Sequence, residues 1–385
     1  MKKFINYNQR CMMKKFLIFL AVMLFPVFLF ADIKIGALFS TSGPASFLGL
    51  PEKNTLEMEV EKINKSGGIN GEKIKLYFYD TKGNDAEARK KFIRLVKKDR
   101  VIAVIGPTRS GSTLAIKDLA KKFHIPVISC ASSDRIINPL YKEVFKVAPS
   151  DRHAVEKIYE YLLKNNKKNV AIITAQSGFG YSGRDALLKI AEKMGINIVA
   201  DEKFKDTDKD MKSQLSKIAE KNPDAVICWG VGPAPAIVAK NFKELGLKAQ
   251  LIMSHGVASK KFIQLAGEAA NGIILPAGRL IVAEQLGDSD PFKNLLLNYK
   301  KEYESRFKSS VSTFGGHAYD AIHILTLAIK NKNYKSSDII KGIESIKNYL
   351  GTYGKFSFSD SDHNGLTKDA FVMVKIVNGN WKLIK

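Results

Sequence analysis

Val101-Ile-Ala-Val-Ile-Gly-Pro-Thr-Arg-Ser-Gly-Ser-Thr113 runs from an unbroken apolar stretch into a Gly/Ser turn, and helical spacing follows from Ser110 to Phe123. A continuous apolar run of this length reads as a strand covered on both faces. A second apolar run, 125–129, comes straight after the helix. Strand, turn, helix, strand is the unit of a parallel sheet with right-handed crossovers.

The same alternation extends outward in both directions. Upstream, strands are expected at 33–39 and 73–80, and helices at 47–63 and 84–99. Downstream the cycle restarts: helix 151–165, strand 170–174, helix 183–194, then Ile196-Asn-Ile-Val-Ala200 as a strand. Helix 208–221, strand 224–230, helix 235–245 and strands 249–254 and 271–276 follow. Three helices, about 290–307, 317–331 and 336–347, come before a strand-like C-terminus with a hairpin signal at Asn378-Gly379. The fold class is α/β: two doubly wound parallel-sheet lobes joined by a three-segment hinge. Crossings are expected near 146–151, 276–281 and 353–358. They give lobe one as 32–150 plus 279–355 and lobe two as 151–278 plus 356–385.

Residues 1–31 read as a secretory signal peptide, with Lys14-Lys15, about fifteen apolar residues and a terminal Ala31. Met13-Lys-Lys-Phe repeats Met1-Lys-Lys-Phe, so translation from Met12 or Met13 is an alternative start. Cleavage leaves about 354 residues, which suits two domains. No later segment holds eighteen consecutive apolar residues. Five bases lie in the leader, so the formal charge falls from +23 to about +18 on cleavage. The remaining lysines are scattered over helical surface positions without interleaved aromatics, so no nucleic-acid partner is expected. Cys130 and Cys228 each end an apolar run; two cysteines define no disulfide framework, and buried thiols or a bridge both fit.

In open α/β sheets ligands sit beyond the carboxyl ends of the strands, so the loops there carry the functional reading. Gly106–Thr113 offers hydroxyls at a helix N-terminus, a seat for a carboxylate, and lacks the lysine of a phosphate loop. Cys130-Ala-Ser-Ser-Asp134 offers the same chemistry at the neighbouring strand end. Gln176–Tyr181 reads as a mobile aromatic loop; Trp229, Gly230–Pro233 and His255–Ala258 follow later strands. There is no Gly-x-Ser-x-Gly elbow, no His-Glu-x-x-His and no metal-spaced His/Cys/Asp cluster. No enzyme activity, metal or cofactor is expected.

Ile35–Pro44, Ile63–Gly71, Tyr79-Asp80, Val104–Pro107, Ser110–Thr113, Ile125–Ser129, Gly178–Gly180 and Gly315–Ala321, in this order and spacing, resemble the leucine/isoleucine/valine-binding family of type I periplasmic solute-binding proteins. The resemblance covers almost the whole chain after the leader. It implies a two-lobed cleft that closes on a small solute and delivers it to an ABC permease in the inner membrane. It further implies a monomer in the periplasm or another extracytoplasmic space, without catalysis. By motif position the family's carboxylate contacts fall on Ser110, Ala131 and Ser133, with Gly111 and Ser132 beside them. An aromatic position falls on Phe179, and a residue early in the first helix on Leu48. Trp229, Val231 and His255 would close the site from lobe two.

The other half of the family pattern departs. The acid that holds an α-ammonium falls on His255, and an assisting tyrosine on Gly232. An ammonium buried without its partner costs about 3–5 kcal/mol. Either another acid such as Asp134 reaches in, or the ligand has no ammonium. A hydrophobic or branched-chain amino acid and an aromatic or aliphatic acid lacking the amino group both remain. So does a ligand-sensing receptor of the same fold; a secreted hydrolase is the most distant alternative.

Overall fold

A computed structural model of the chain describes residues 32–330 and 333–384. The expected signal peptide lies outside the described residues.

The first sheet has five parallel strands in the order β2-β1-β3-β4-β5: β1 (Ile33–Phe39), β2 (Ile74–Asp80), β3 (Ala103–Ile105), β4 (Val127–Ser129) and β5 (Val144–Lys146). The deciding stretch forms a short strand at its centre. Only Ala103–Ile105 pairs, with β1 on one side and β4 on the other, and all three residues are buried. Helices α1 (Ser46–Lys65), α2 (Asp85–Arg94) and α3 (Ser110–Phe123) make the crossovers. The second sheet has seven strands, five in parallel and two added by the C-terminal hairpin. Its parallel part is β6 (Asn169–Ala175), β7 (Asn197–Phe204), β8 (Ala225–Trp229), β9 (Gln250–Met253) and β10 (Ile274–Ala277). The connecting helices are α4 (Asp151–Lys164), α5 (Gly178–Met194), α6 (Lys212–Ala219), α7 (Ala234–Glu244) and α8 (Lys260–Ala266). The C-terminal hairpin β13 (Val372–Val377) and β14 (Asn380–Leu383) adds antiparallel beside β10. Its tip is Asn378-Gly379, both at positive φ.

The sequence reading missed β5 and α8, which are only three and seven residues long. It also took Tyr353–Phe358 as strand-like. Only β12 (Lys355–Phe356) pairs there, with β11 (Tyr349–Leu350), in a small two-stranded ribbon outside both large sheets. The segment after it runs beside β5: Lys146 N donates to His363 O at 3.0 Å, and Asn364 Nδ2 donates to Lys146 O and Ala148 O. α9 (Lys293–Phe307), α10 (Thr313–Ile329) and α11 (Ser336–Glu344) complete the helices. Thirteen of the seventeen α10 residues are buried. A helix apolar all round must lie inside, and α10 packs against α1 on the first sheet. That placement carries Phe314 and His317 to the carboxyl ends of the strands.

Candidate functional site

Two helix N-termini, one from each sheet, meet at the centre of the molecule. α3 starts at Ser110 without a side-chain cap and with no acid in its first turn. Its first amides therefore have no partner within the helix. α5 starts at Gly178, with Ser177 accepting from Gly180 N at 3.3 Å. A Cβ on Gly178 would lie 3.0 Å from Gly111 N, so the approach depends on glycine. Phe179 thus stands on the first turn of a helix, not in a mobile loop, because Ser177 caps that turn.

Side chains fix the loops around this meeting point. Ser112 Oγ donates to Asp85 Oδ1 at 2.9 Å, and Thr113 Oγ1 and Ser129 Oγ lie 2.8 Å apart. Ala131 N donates to Ser129 Oγ, and Ser133 N to Ser110 Oγ at 3.4 Å. The fully buried Lys146 donates to Ser132 O at 2.6 Å. The 130–133 turn is held from three sides.

A cavity of about 470 Å³ opens where these loops converge. Leu48, Ser110, Gly111, Ala131, Ser132, Phe179, Val231 and His255 all line it. Two of the expected residues do not. Ser133 is buried with its Oγ turned to Arg135 N, capping the short helical turn at Asp134–Ile136. Trp229 is a core residue at the end of β8. Its indole packs against Phe179 and His255, and a Cβ on Gly183 would strike its Nε1 at 2.0 Å. Asp134, considered as a substitute acid, also stays out of the wall. Its carboxylate accepts from Arg152 N and faces Lys146 Nζ at 3.8 Å.

The wall contains further groups that the sequence reading did not select: Arg109, Asp85, Asp206, Phe314 and His317. Arg109 donates to Gly83 O and to Asp206 Oδ2 at 3.1 Å, an ion pair joining the two halves across the cleft. Burial raises the Asp206 carboxyl above its ordinary range, with Arg109 pulling it down. Arg135–Asp185 and Asp134 N–Ser182 Oγ join the halves outside the cavity. Burial pushes both His255 and His317 down to about 3, and the buried Lys146 adds to the shift in each. Both imidazoles are neutral at pH 7. Cys130, in the wall, and Cys228 are free, buried thiols.

Arg109 was legible as part of the Gly106–Thr113 turn, although a lone arginine between hydroxyls gave no sign of its direction. His317 stands in Gly315-Gly-His-Ala-Tyr-Asp-Ala321, a quoted segment, but nothing local tells that this helix face meets a cavity. Asp206 had no signal beyond a charged loop after β7. Among the described residues no group of three His, Cys, Asp or Glu is placed to hold a metal ion, and no helix is long and apolar enough to cross a membrane.

The fold is shared with known proteins. A family model described as periplasmic binding protein matches residues 32–380. The chain is 29% identical to the Leu/Ile/Val-binding protein BraC3 of Rhizobium johnstonii over 246 residues, 63% of this chain and 67% of that protein. An extracellular ligand-binding receptor from Rhodopseudomonas palustris HaA2 superposes with a TM-score of 0.85 at 28% identity, covering 92% of this chain and all of that one. The branched-chain amino acid substrate-binding protein LivJ from Streptococcus pneumoniae, solved with isoleucine, gives 0.81 at 27% over the same shares. The chain belongs to the periplasmic binding protein family.

Proposed function

We propose that this protein is the extracytoplasmic solute-binding component of an ABC importer, exported by a cleaved signal peptide and without enzymatic activity. It takes up a small carboxylate with an apolar body, a hydrophobic or branched-chain amino acid or a related acid. The observation that carries this reading is the convergence of two helix N-termini and the Ser110 and Ser132 hydroxyls on one cavity between the sheets. Free amides and the positive helix ends favour an anion there, while Leu48, Phe179, Val231 and Phe314 supply an apolar wall. Lobe one is 32–150 plus 279 to about 365, and lobe two the remainder. In this reading the third crossing comes after about residue 365, later than the 353–358 expected from sequence; the bonds of His363 and Asn364 to the β5 segment support it. The cross-cleft bonds at Arg109–Asp206 and Arg135–Asp185 suit a hinge that closes over solute. Closure would present the loaded form to a permease.

A thermal-shift screen of the chain from residue 32 tests this. A carboxylate at one hundred times its Kd stabilises by about 2.7 kcal/mol, and its amide or methyl ester gives no shift. Failure of every amino acid and related acid to shift the melting temperature would remove the carboxylate reading.

A further inference from the structure

Beside the serine turns the cavity wall carries two imidazoles, one contributed by each half. His255 begins a short helical turn after β9, and His317 lies in the first turns of α10. They are 5% and 2% exposed, and both line the cavity. Neither nitrogen of His255 has a hydrogen-bond partner among the described residues, and the one group near a nitrogen of His317 is the Cys130 backbone. Buried polar atoms are rarely left unpartnered, and two such rings in one cavity wall mark a place where a ligand completes the bonding.

The rings are held by packing. His255 is edged by Phe179 at 5.3 Å, Trp229 at 5.6 Å and Phe371 at 5.1 Å. His317 is stacked on Tyr353 at 4.7 Å. Four fixed aromatic neighbours prevent either imidazole from turning away to seek another partner.

We propose that His255 and His317 together bind an uncharged oxygen on the carbon next to the ligand carboxylate, so that the solute is a 2-hydroxy or 2-oxo acid and not an α-amino acid. This rests on the carboxylate reading given above. A neutral imidazole has one N–H donor and one bare nitrogen acceptor. Two of them satisfy a hydroxyl, which gives and takes, or a carbonyl oxygen, which takes two. An ammonium needs a compensating anion, and the wall supplies none free beside the imidazoles. Asp151 Oδ1 lies 3.9 Å from His255 Nε2, but the carboxyl is fully buried and shared with Lys146 and Asp134. Asp85 accepts from Ser112, and Asp206 is neutralised by Arg109. The fully buried Lys146 behind Ser132 further opposes a second positive charge.

Titration calorimetry with the chain from residue 32 tests the proposal on two matched series. One is 2-hydroxy-4-methylpentanoate, 4-methyl-2-oxopentanoate, leucine and 4-methylpentanoate; the other is phenyllactate, phenylpyruvate, phenylalanine and 3-phenylpropanoate. In the better-fitting series the hydroxy or oxo acid binds at least one hundred-fold tighter than both the amino acid and the plain acid. A site built to bond an oxygen rejects the analogue lacking it by orders of magnitude. His255→Phe and His317→Phe then bring the ratio of oxygenated to plain acid toward one. The ranking in the unmodified protein stands as a test even if a variant fails to fold. The amino acid binding tightest, above all if Asp206→Asn abolishes it, overturns the proposal and leaves the carboxylate reading intact. A plain acid binding equally well overturns it too. Binding by no acid of either series removes the carboxylate reading and this inference with it.

Discussion

The serine side and the histidine side of the cavity wall, which adjoin at Cys130, are made in opposite ways. At the serine end nearly every polar group is already bonded: Ser110 to Ser133, Ser112 to Asp85, Ser132 to Lys146. Its ligand-facing chemistry is backbone amide and helix terminus, with the Ser110 and Ser132 hydroxyls beside them. At the histidine end the chemistry is side chain only, set in aromatic packing and without a side-chain hydrogen bond. The first end is a frame that fits any carboxylate, since amides recognise the charge and not the body attached to it. The second end distinguishes one carboxylate from another.

The largest effect expected is at the support of the serine end. Lys146→Met removes the bond to Ser132 and leaves Asp134 and Asp151 without the buried cation beside them. Breaking a buried pair from one side costs about 3–5 kcal/mol, read as a lower midpoint in urea unfolding. A cost under 1 kcal/mol would mean that the serine end needs no buried charge to hold it.

Ser110→Ala should weaken carboxylate binding by about 1.5–3 kcal/mol, the usual loss for a hydrogen bond to a charged group. Ser133→Ala is the contrast within the same end. It loses a turn cap and about 1 kcal/mol of stability, while affinity changes less than threefold in calorimetry. The reverse pattern would return Ser133 to the site and displace Ser110.

The contrast also explains what the sequence made legible. Loops at strand ends are local features. Val101–Thr113 shows the strand, the turn and the helix start within thirteen residues, so the turn with its Ser110 hydroxyl could be marked as a carboxylate seat from spacing, while Gly111 was added by the family resemblance. The Ser133 error is also local in origin: motif position gives the residue, but its rotamer follows a competition between a ligand and the amide of Arg135. The histidine end is assembled from distant segments. His317 reaches the cavity because α10, apolar all round, is driven against α1, and no feature within ten residues of it records that contact. Trp229 was misplaced for a related reason. A buried strand end and a cavity wall have the same composition, and only the close passage of Gly183 makes it core.

Acid stability sharpens the comparison from the histidine end. His317 is pushed down to about 3 by burial, with His255 and Lys146 adding. Between pH 6.5 and 3 the unfolded chain binds a proton there that the folded chain does not. Its contribution is intact above about pH 6.5 and is lost as pH falls, reaching about 2 kcal/mol by pH 5. Asp151 and Asp320, pushed up to about 7 by burial, act in the opposite direction. The difference between the parent and His317→Gln cancels them. In the absence of solute the variant should lose less stability from pH 7 to 5, by about 2 kcal/mol in urea titrations. Equal losses would mean that His317 is accessible to protons in the folded chain, as an imidazole already bonded to water would be.

The smallest effect lies at the contact between the two halves. Arg109 and Asp206 are 26% and 34% exposed, and they connect the halves across the cleft at the edge of the serine turn. An exposed pair of this kind contributes about 0.2–1 kcal/mol and weakens with salt. It acts only where the halves meet, so losing it shifts the balance between separated and joined halves. Asp206→Asn should therefore weaken a 2-hydroxy acid and its plain analogue equally, by two- to fivefold, with a smaller loss at 0.5 M salt. A uniform shift identifies a latch. A loss confined to one member of the matched series would place Asp206 against the solute, and the histidine end would then share its task of telling one acid from another.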